Sequence, residues 1–384
     1  MIYFDNGATT GKKPQGVIKA CEYALQNLCV NPGRGGYEAS VKCAELIYSA
    51  RNKVSRLFGA DGAENVVFTL NCTASINYVL KGVLKKGDHI VISSLEHNAV
   101  VRPLEKSQTN YSVAAVSLTD DNVTVENFKK AIKPNTKMIF CTAASNVNGK
   151  ILPLEKIGKL CKEKNILFGV DAAQAAGIIP INMIDMNIDY LCIAPHKGLY
   201  APMGIGVLIC RKNIEKTIIE GGTGVNSLEL TQPKFLPERL ESGTLNVPAI
   251  MGLSAGIDFV NSKGIEKLYN AEMDLAINVY NTLINHPLAK LYTNSFGKGG
   301  FVPVIPFNFE GLTGEESADI LGEYGVATRG GYHCSPFAHK AMNTLDIGAV
   351  RLSFSAFNSK RETDYFNELI NNPKFLKKLK KSIE

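Results

Sequence analysis

The central stretch of the chain, residues 65–210, is the feature that most limits its possible folds. Short apolar runs such as VVFTL, HIVISS, KMIFCTA and ILFGVD alternate there with longer segments of helical periodicity, such as TASINYVLKGVLKKG and LEKIGKLCKEK. Strands that alternate with helices of this length are typical of a mostly parallel sheet covered by helices on both faces. We therefore predict an α/β fold.

Five polar residues follow the predicted strands closely, and in such sheets ligands bind beyond the carboxyl ends of the strands. They are Thr73, Glu96, Ser145, Asp171 and Lys197. These positions predict where a ligand site would lie.

The pattern changes after Pro248, where a long amphipathic stretch is followed by shorter strands. Thr313 and Glu316 have the spacing of a capping box that begins a helix. A chain of 384 residues suits a large and a small unit better than one core. We predict a large domain at 15–258 and a smaller C-terminal domain at 259–384, with 1–14 associated with the smaller one. The Gly- and Pro-rich residues 220–248 predict a long surface loop, and such loops are usually functional or lie at an interface.

Charge and cysteine usage limit the class of protein. The formal charge is +6, and part of it comes from a lysine run at 377–381 that is typical of the solvated face of a last helix. No basic stripe with interleaved aromatic residues occurs elsewhere, so we expect no nucleic-acid partner.

Nine cysteines without CxxC pairs indicate a reducing compartment. The start MIYFDNGATT lacks the pattern of a leader, and no stretch is long enough to span a membrane. We expect a cytoplasmic protein with no membrane partner and no metal site.

Lys197 and Asp171 are the first candidates for chemistry. Lys197 lies between two apolar strands, in a segment rich in Gly, Ala and Pro, and Asp171 ends the strand ILFGVD. An apolar setting lowers the pKa of a lysine and frees its amine as a nucleophile. The pair suits pyridoxal phosphate, which forms a Schiff base with a lysine and needs an acid at its ring nitrogen. Taken alone, Lys197 could be a surface turn lysine and Asp171 a helix N-cap.

Neighbouring positions could bind the same cofactor. Thr73 and Ser75 lie where a strand passes directly into a helix, and a helix N-terminus suits a phosphate; Thr73 could also be an ordinary N-cap. His97 could stack on a flat ring or be a hydrogen-bonded loop histidine. Gln174 could face the ligand or sit in a first helical turn, and His196 could tune the adjacent amine or occupy a turn.

Cys334 differs from the other eight cysteines because it lies in the glycine-containing segment TRGGYHCSPF beside Arg329. Neighbouring cations favour the thiolate form of a cysteine, whereas structural cysteines sit in apolar runs. Arg351 opens VRLSFSAFN and could clamp a carboxylate with its planar fork, or form a surface ion pair.

Together these segments resemble the class V aminotransferase fold family. Within it they are similar to the cysteine desulfurases with a short active-site cysteine loop, including selenocysteine lyase-like enzymes. The likeness runs over nearly the whole chain and is carried, in the family's order, by FDNGATT, NPGRGGYEAS, TASIN, EHNAV, SNVNG, VDAAQAAG, HKGLYAPMGIG, ESGTLNVPAI, TRGGYHCSP and VRLSFSAFN.

The resemblance implies a PLP-dependent transferase fold of the aspartate aminotransferase type (fold type I). In that fold the large domain is built on a mostly parallel seven-stranded sheet. A smaller C-terminal α+β domain carries the cysteine loop. The resemblance also implies pyridoxal 5′-phosphate as cofactor and a homodimer.

It implies roles for the residues around the cofactor. Lys197 would form the Schiff base, Asp171 would pair with the ring nitrogen, Gln174 would reach the phenolic oxygen and His97 would stack on the ring. The phosphate would be held by Thr73, the Ala74 amide and His196, with Thr244 reaching it from the partner subunit.

It also implies how the substrate is handled. Asn146 and Arg351 would bind the substrate carboxylate, and Cys334 would accept the sulfur. The sequence departs from the family at Ala194 and Pro195, where a serine or threonine with glycine is common. That change removes one side-chain ligand for the phosphate.

The predicted activity is cysteine desulfuration: L-cysteine becomes L-alanine, and a persulfide stays on Cys334 for an acceptor protein, for example in iron–sulfur cluster assembly. Alternatives are a selenocysteine lyase acting on L-selenocysteine, or an aminotransferase or another lyase in which Cys334 is incidental. A different class is a non-catalytic PLP-binding sulfur relay or scaffold.

Overall fold

A computed structural model describes residues 1–32 and 35–383. Gly33 and Arg34 of the NPGRGGYEAS motif lie outside the described residues. The strands are β1 (Ile2–Tyr3), β2 (Val66–Thr69), β3 (His89–Ser93), β4 (Asn110–Ala114), β5 (Thr136–Thr142), β6 (Leu167–Asp171), β7 (Tyr190–Ile193), β8 (Gly206–Cys210), β9 (Ala289–Leu291), β10 (Val304–Phe309), β11 (Val326–Ala327) and β12 (Val350–Ser353). The helices are α1 (Gln15–Asn27), α2 (Glu38–Phe58), α3 (Cys72–Val83), α4 (Asn98–Ser107), α5 (Asp121–Ala131), α6 (Leu154–Lys164), α7 (Val247–Lys263), α8 (Ile265–Ile284), α9 (Gly314–Glu323), α10 (Pro336–Met342), α11 (Lys360–Ile370) and α12 (Pro373–Ile383).

Seven strands form the central sheet in the spatial order β2-β8-β7-β6-β5-β3-β4. Only β8 runs against its neighbours β2 and β7, and all other pairs are parallel. The predicted α/β fold with a mostly parallel seven-stranded sheet is therefore confirmed. Because parallel strands are joined by helical crossovers, their carboxyl ends collect at one edge of the sheet.

Alternate residues of the strands pack into two different cores. In β5, Ile139 and Cys141 pack on one face of the sheet, whereas Met138 and Phe140 pack on the other. Successive strand residues point to opposite faces, so a strand covered on both sides must be apolar throughout. This is why the sequence shows continuous apolar runs here. Six of the nine cysteines are buried, as predicted for thiols that act as small core residues, and all nine are free.

The C-terminal part has its own sheet and core. Strands β12, β10 and β9 form an antiparallel sheet. The N-terminal strand β1 pairs in parallel with β11, and Phe4 packs in the same core as Phe307 and Phe366. The first residues thus pack with C-terminal elements, while the boundary at 258/259, which falls within α7, stays a prediction.

Three local predictions can be compared with the structure, two in the C-terminal part and one in the long loop that precedes α7. Thr313 and Glu316 form a capping box at the start of α9. Helix α12 buries Phe375 and Leu379 and leaves most of its lysines exposed. Residues 211–246 contain no helix or strand, so the predicted 220–248 loop is confirmed except for its last two residues, which begin α7. Within 1–32 and 35–383, no helix is both long and apolar enough to span a bilayer.

Candidate active site

A cavity of about 130 Å³ lies at the carboxyl ends of the central strands. Three of the five strand-end positions predicted from the sequence, Thr73, Asp171 and Lys197, meet here because β6 and β7 are parallel neighbours and α3 begins at the same edge. The other two, Glu96 and Ser145, are buried and do not line the cavity. Its wall includes seven of the predicted site residues, namely Thr73, His97, Asn146, Asp171, Gln174, His196 and Lys197.

Lys197 lies in a tight turn after β7. Its amide donates to Ala194 O at 3.2 Å, and its carbonyl accepts from the Tyr200 amide at 3.0 Å. Burial and the Arg351 guanidinium lower the pKa of Lys197 to about 8, whereas Asp171 and Cys72 oppose this shift. At neutral pH, a far larger fraction of Lys197 is therefore in the neutral amine form than of an ordinary lysine.

Asp171 is the last residue of β6 and is buried. Its Oδ1 accepts from the Ala173 amide at 2.9 Å and from the Cys72 thiol at 3.6 Å. Among the residues that the structure describes, none donates a hydrogen bond to Oδ2. One carboxylate oxygen is held by the protein, and the second is left for a ligand in the cavity.

The start of α3 is capped by Asn71, whose Oδ1 accepts from the Ala74 amide at 2.9 Å. The alternative that Thr73 is the N-cap is therefore wrong: Thr73 is the second residue of the helix, and it is exposed. The Ala74 amide, which the resemblance gives to the phosphate, is engaged by Asn71 in this structure.

Two histidines in the cavity wall are neutral at neutral pH. Burial, followed by Lys197 and Lys13, lowers the pKa of His196 to about 4. Its Nδ1 is buried and has no hydrogen-bond partner in the described part of the chain. His97 is the N-cap of α4 and its Nδ1 accepts from the Ala99 amide at 3.0 Å, which places the proton of the neutral ring on Nε2. Burial is the main cause of the lowered pKa of His97.

Gln174 connects the cavity to the N-terminal segment. Its Nε2 donates to Gly7 O at 2.8 Å, so Gly7 of the segment FDNGATT lies directly behind one residue of the cavity wall. A nearby acid, Asp5, was not singled out by sequence reasoning, although it ends an apolar run in the same way as Asp171.

Asp5 binds two arginines. Its Oδ1 accepts from Arg351 Nη2 at 2.8 Å, and its Oδ2 accepts from Arg329 Nη2 at 2.9 Å. Arg351 is 2% exposed and would be an unpaired buried charge without Asp5. Burial lowers the pKa of Arg351, and Asp5 opposes that shift. The Nε of Arg351 is buried and has no partner among the described residues.

The loop that carries Cys334 is tied to the cavity by hydrogen bonds. Asn146 donates from Nδ2 to His333 O at 2.8 Å and accepts at Oδ1 from Ser335 Oγ at 2.7 Å. The carbonyl of Cys334 accepts from the Asn98 amide at 2.7 Å, next to His97. Cys334 itself is exposed and has a left-handed backbone with φ of 56°. The loop therefore presents a solvent-accessible thiol beside the cavity.

Thr244 is not brought to this cavity. It is exposed and lines a separate cavity of about 750 Å³, whose wall includes the ion pair Arg51–Glu241 (Nη2–Oε2 2.6 Å). Within one chain, Thr244 and Lys197 lie in different cavities.

Residues 2–366 match the family model for class-V aminotransferases. The chain belongs to the class-V aminotransferase family. A curated relative from Pyrococcus abyssi, named probable cysteine desulfurase, is 32% identical over 95% of this chain and 92% of its own length. Another of that name, from Synechocystis, is 29% identical over 95% of this chain and 89% of its own length.

Solved structures of cysteine desulfurases have a similar fold. The apo cysteine desulfurase of Thermococcus onnurineus superposes with a TM-score of 0.87 at 29% identity, covering 96% of this chain and 93% of that one. The family is PLP-dependent, and the described residues fit that cofactor. The cavity offers an amine, a carboxylate with one free oxygen, and the unpartnered buried Nδ1 of His196.

Proposed function

We propose that this protein is a PLP-dependent cysteine desulfurase that converts L-cysteine to L-alanine and keeps the sulfur as a persulfide on Cys334. The observation that carries the proposal is the position of Cys334: an exposed thiol on a loop that Asn146 and Asn98 bind to the cavity containing Lys197. The relatives named probable cysteine desulfurases support it.

Lys197 would hold pyridoxal phosphate covalently, with Asp171 at the ring nitrogen, His97 against the ring and Gln174 at the phenolic oxygen. His196, Thr73 and the Ala74 amide would hold the phosphate. When bound, the cofactor supplies an electron sink for charge that develops at the substrate Cα.

The chain's own groups would carry out the remaining chemistry. Free Lys197 Nζ, with a pKa near 8, can accept a proton from the substrate Cα. Arg351 and Asn146 would orient the substrate carboxylate, which must compete with Asp5 for the guanidinium.

Sulfur transfer needs the thiolate of Cys334. It attacks the substrate sulfur, an S–S bond forms, and the substrate Cβ–S bond breaks with its electron pair remaining on the carbon skeleton. Protonation then gives alanine, so cysteine and one enzyme thiol yield alanine and one enzyme persulfide. No external oxidant or reductant is required for this step.

The test replaces Cys334 by Ala in the holoenzyme and measures alanine release from cysteine. We expect a loss of about a hundredfold or more, because the thiolate nucleophile is removed. In the parent enzyme, peptide mass should show a persulfide on Cys334 when reductant is omitted. Cys29→Ala is the matched control, since Cys29 is the other exposed cysteine.

The outcome also separates the competing activities. Full alanine release by the Cys334→Ala variant would sink the desulfurase proposal. Retained turnover of selenocysteine with lost turnover of cysteine would point to a selenocysteine lyase, because selenium leaves more readily. Amino transfer to a 2-oxo acid would indicate an aminotransferase.

We further infer a homodimer in which Thr244 reaches the partner's phosphate site, and a protein that accepts the sulfur. The exposed position of Thr244, outside the cavity of its own chain, supports the first inference. A cytoplasmic location and a role in iron–sulfur cluster assembly stay predictions.

A further inference from the structure

A groove between α3 and α4 ends at Cys334. One side consists of a stripe of α3 residues four apart, Thr73, Asn77 and Lys81. The other consists of α4 residues, including Arg102 and Lys106, at the spacing that places side chains on one helix face. This α3–α4 groove has a volume of about 330 Å³ and reaches the active-site cavity at Thr73 and His97, which line both.

The groove is positively charged along its length. Lys81, Arg102 and Lys106 are exposed, and none of them forms a salt bridge with any residue in the described ranges. No Asp or Glu lines the groove, and the acid of α4, Glu105, accepts from the Tyr111 hydroxyl instead. Like charges held together without counter-charges create a potential that attracts anions.

The two helices add to this potential at the Cys334 end. Helices α3 and α4 begin at Cys72 and Asn98, and the Asn98 amide donates to the Cys334 carbonyl. The N-terminal end of a helix carries partial positive charge. The positive potential thus extends from the cationic side chains to the sulfur.

The spacing of the cations indicates the size of the ligand. Lys81 is two helical turns beyond Thr73, which corresponds to roughly 12 Å along α3. An extended segment of about four residues spans that distance, whereas one small thiol cannot contact both Cys334 and Lys81.

We propose that the α3–α4 groove docks an acidic segment of the protein that collects sulfur from Cys334; this rests on the proposed desulfurase function. The acceptor's cysteine thiolate attacks the outer sulfur of the Cys334 persulfide. A new S–S bond forms on the acceptor, the bond to Cys334 Sγ breaks, and Cys334 leaves as a thiolate. Electrons balance within this exchange, so no further reagent is needed.

The experiment uses the holoenzyme and two synthetic peptides that carry one cysteine. One peptide has a run of Asp and Glu beside the cysteine, and the other has Asn and Gln at the same positions. Persulfide transfer to each peptide is followed by mass. We expect about tenfold faster transfer to the acidic peptide at low salt, with the preference fading as salt screens the charges.

Removing the charges should remove the preference. In the triple variant Lys81→Gln, Arg102→Gln, Lys106→Gln, the two peptides should react at rates that differ by less than about twofold. A control variant with the same loss of charge, Lys162→Gln, Lys263→Gln, Lys377→Gln, should keep the preference, because these exposed lysines lie outside the groove.

Alanine release with dithiothreitol, a small neutral acceptor, separates the two proposals. No alanine from the parent enzyme would mean that the desulfurase function itself fails. Normal alanine release without a preference for the acidic peptide, or with a preference that survives in the groove variant, would overturn the docking proposal. Equal acceleration by mercaptosuccinate, a small anionic thiol, would also overturn it in favour of a small-anion site.

Discussion

At the scale of single residues, burial and the neighbouring charges together set the pKa of Lys197. Burial lowers the pKa of Lys197 most, Arg351 lowers it further and Asp171 opposes both, so that the pKa lies at about 8. Asp5 limits the influence of Arg351 because it pairs with that guanidinium at 2.8 Å. Modest changes of pH around 8 therefore change the fraction of Lys197 that is charged.

We predict that capture of pyridoxal phosphate by the apoprotein follows this pKa. The neutral amine is the nucleophile, so about one Lys197 in ten is reactive at pH 7, against fewer than about one in a thousand for an ordinary lysine. Capture should rise with pH, reach half of its maximum near pH 8 and level off about one pH unit higher. Borohydride reduction followed by peptide mass, from about pH 6 to about pH 10, measures it at Lys197.

The Asp171→Asn variant tests the cause of that profile. The carboxylate of Asp171 raises the pKa of Lys197, so its removal should move the midpoint to lower pH. A profile that keeps rising beyond pH 9, as for exposed amines in general, would contradict the assignment.

At the scale of elements, close contact between backbones positions the Lys197 turn. Gly256 of α7 faces the turn directly: a Cβ there would lie 2.0 Å from Leu199 O. Gly198 is similarly constrained, since a Cβ added at this position would lie 2.4 Å from Ala176 O. Both glycines are required because the backbones pack without room for a side chain.

We predict that Gly256→Ala displaces the Lys197 turn. The added methyl group should cost about 1–3 kcal/mol of stability and lower the amount of bound cofactor. Cofactor absorbance per chain and the unfolding midpoint of the holoenzyme measure both effects. Gly322→Ala in α9 is the control, because a Cβ at Gly322 meets nothing within 4 Å. Normal cofactor content in the Gly256→Ala variant would argue against this role for α7.

Elements and strand-end residues could be predicted from the sequence because their signals are local. The apolar runs of the central sheet follow from burial on both faces, and the Thr313 capping box spans three positions. Asp5 could not be found in this way, since Arg329 and Arg351 lie 324 and 346 positions away along the chain. Asn71 was missed as the cap of α3 because Thr73, two residues on, offers the same type of signal.

At the scale of the whole molecule, the 220–248 loop and the cavity near Thr244 leave apolar surface exposed. Leu228 and Leu230 are fully exposed, and Phe235, which lines the 750 Å³ cavity, is half-exposed. Apolar side chains grouped in this way are typical of surfaces that a partner covers. In the homodimer that we propose, a second copy of the chain would cover them and would bring its own Thr244 toward the neighbouring active site.

We predict that two inactive variants restore activity when their chains are co-expressed. In a hybrid of Lys197→Ala and Thr244→Ala chains, one site has an intact Lys197 and receives Thr244 from the partner, while the other has neither. Random pairing makes about half of the dimers hybrids, so about a quarter of the parent alanine release should return. Light scattering should give twice the 41.7 kDa chain mass. The control is a hybrid of Lys197→Ala with Asp171→Asn chains. Lys197 and Asp171 line the same cavity of one chain, so both sites of this hybrid carry a defect and no activity should return. If Thr244 served its own chain, the first hybrid would also stay inactive, and the shared-site arrangement would be wrong.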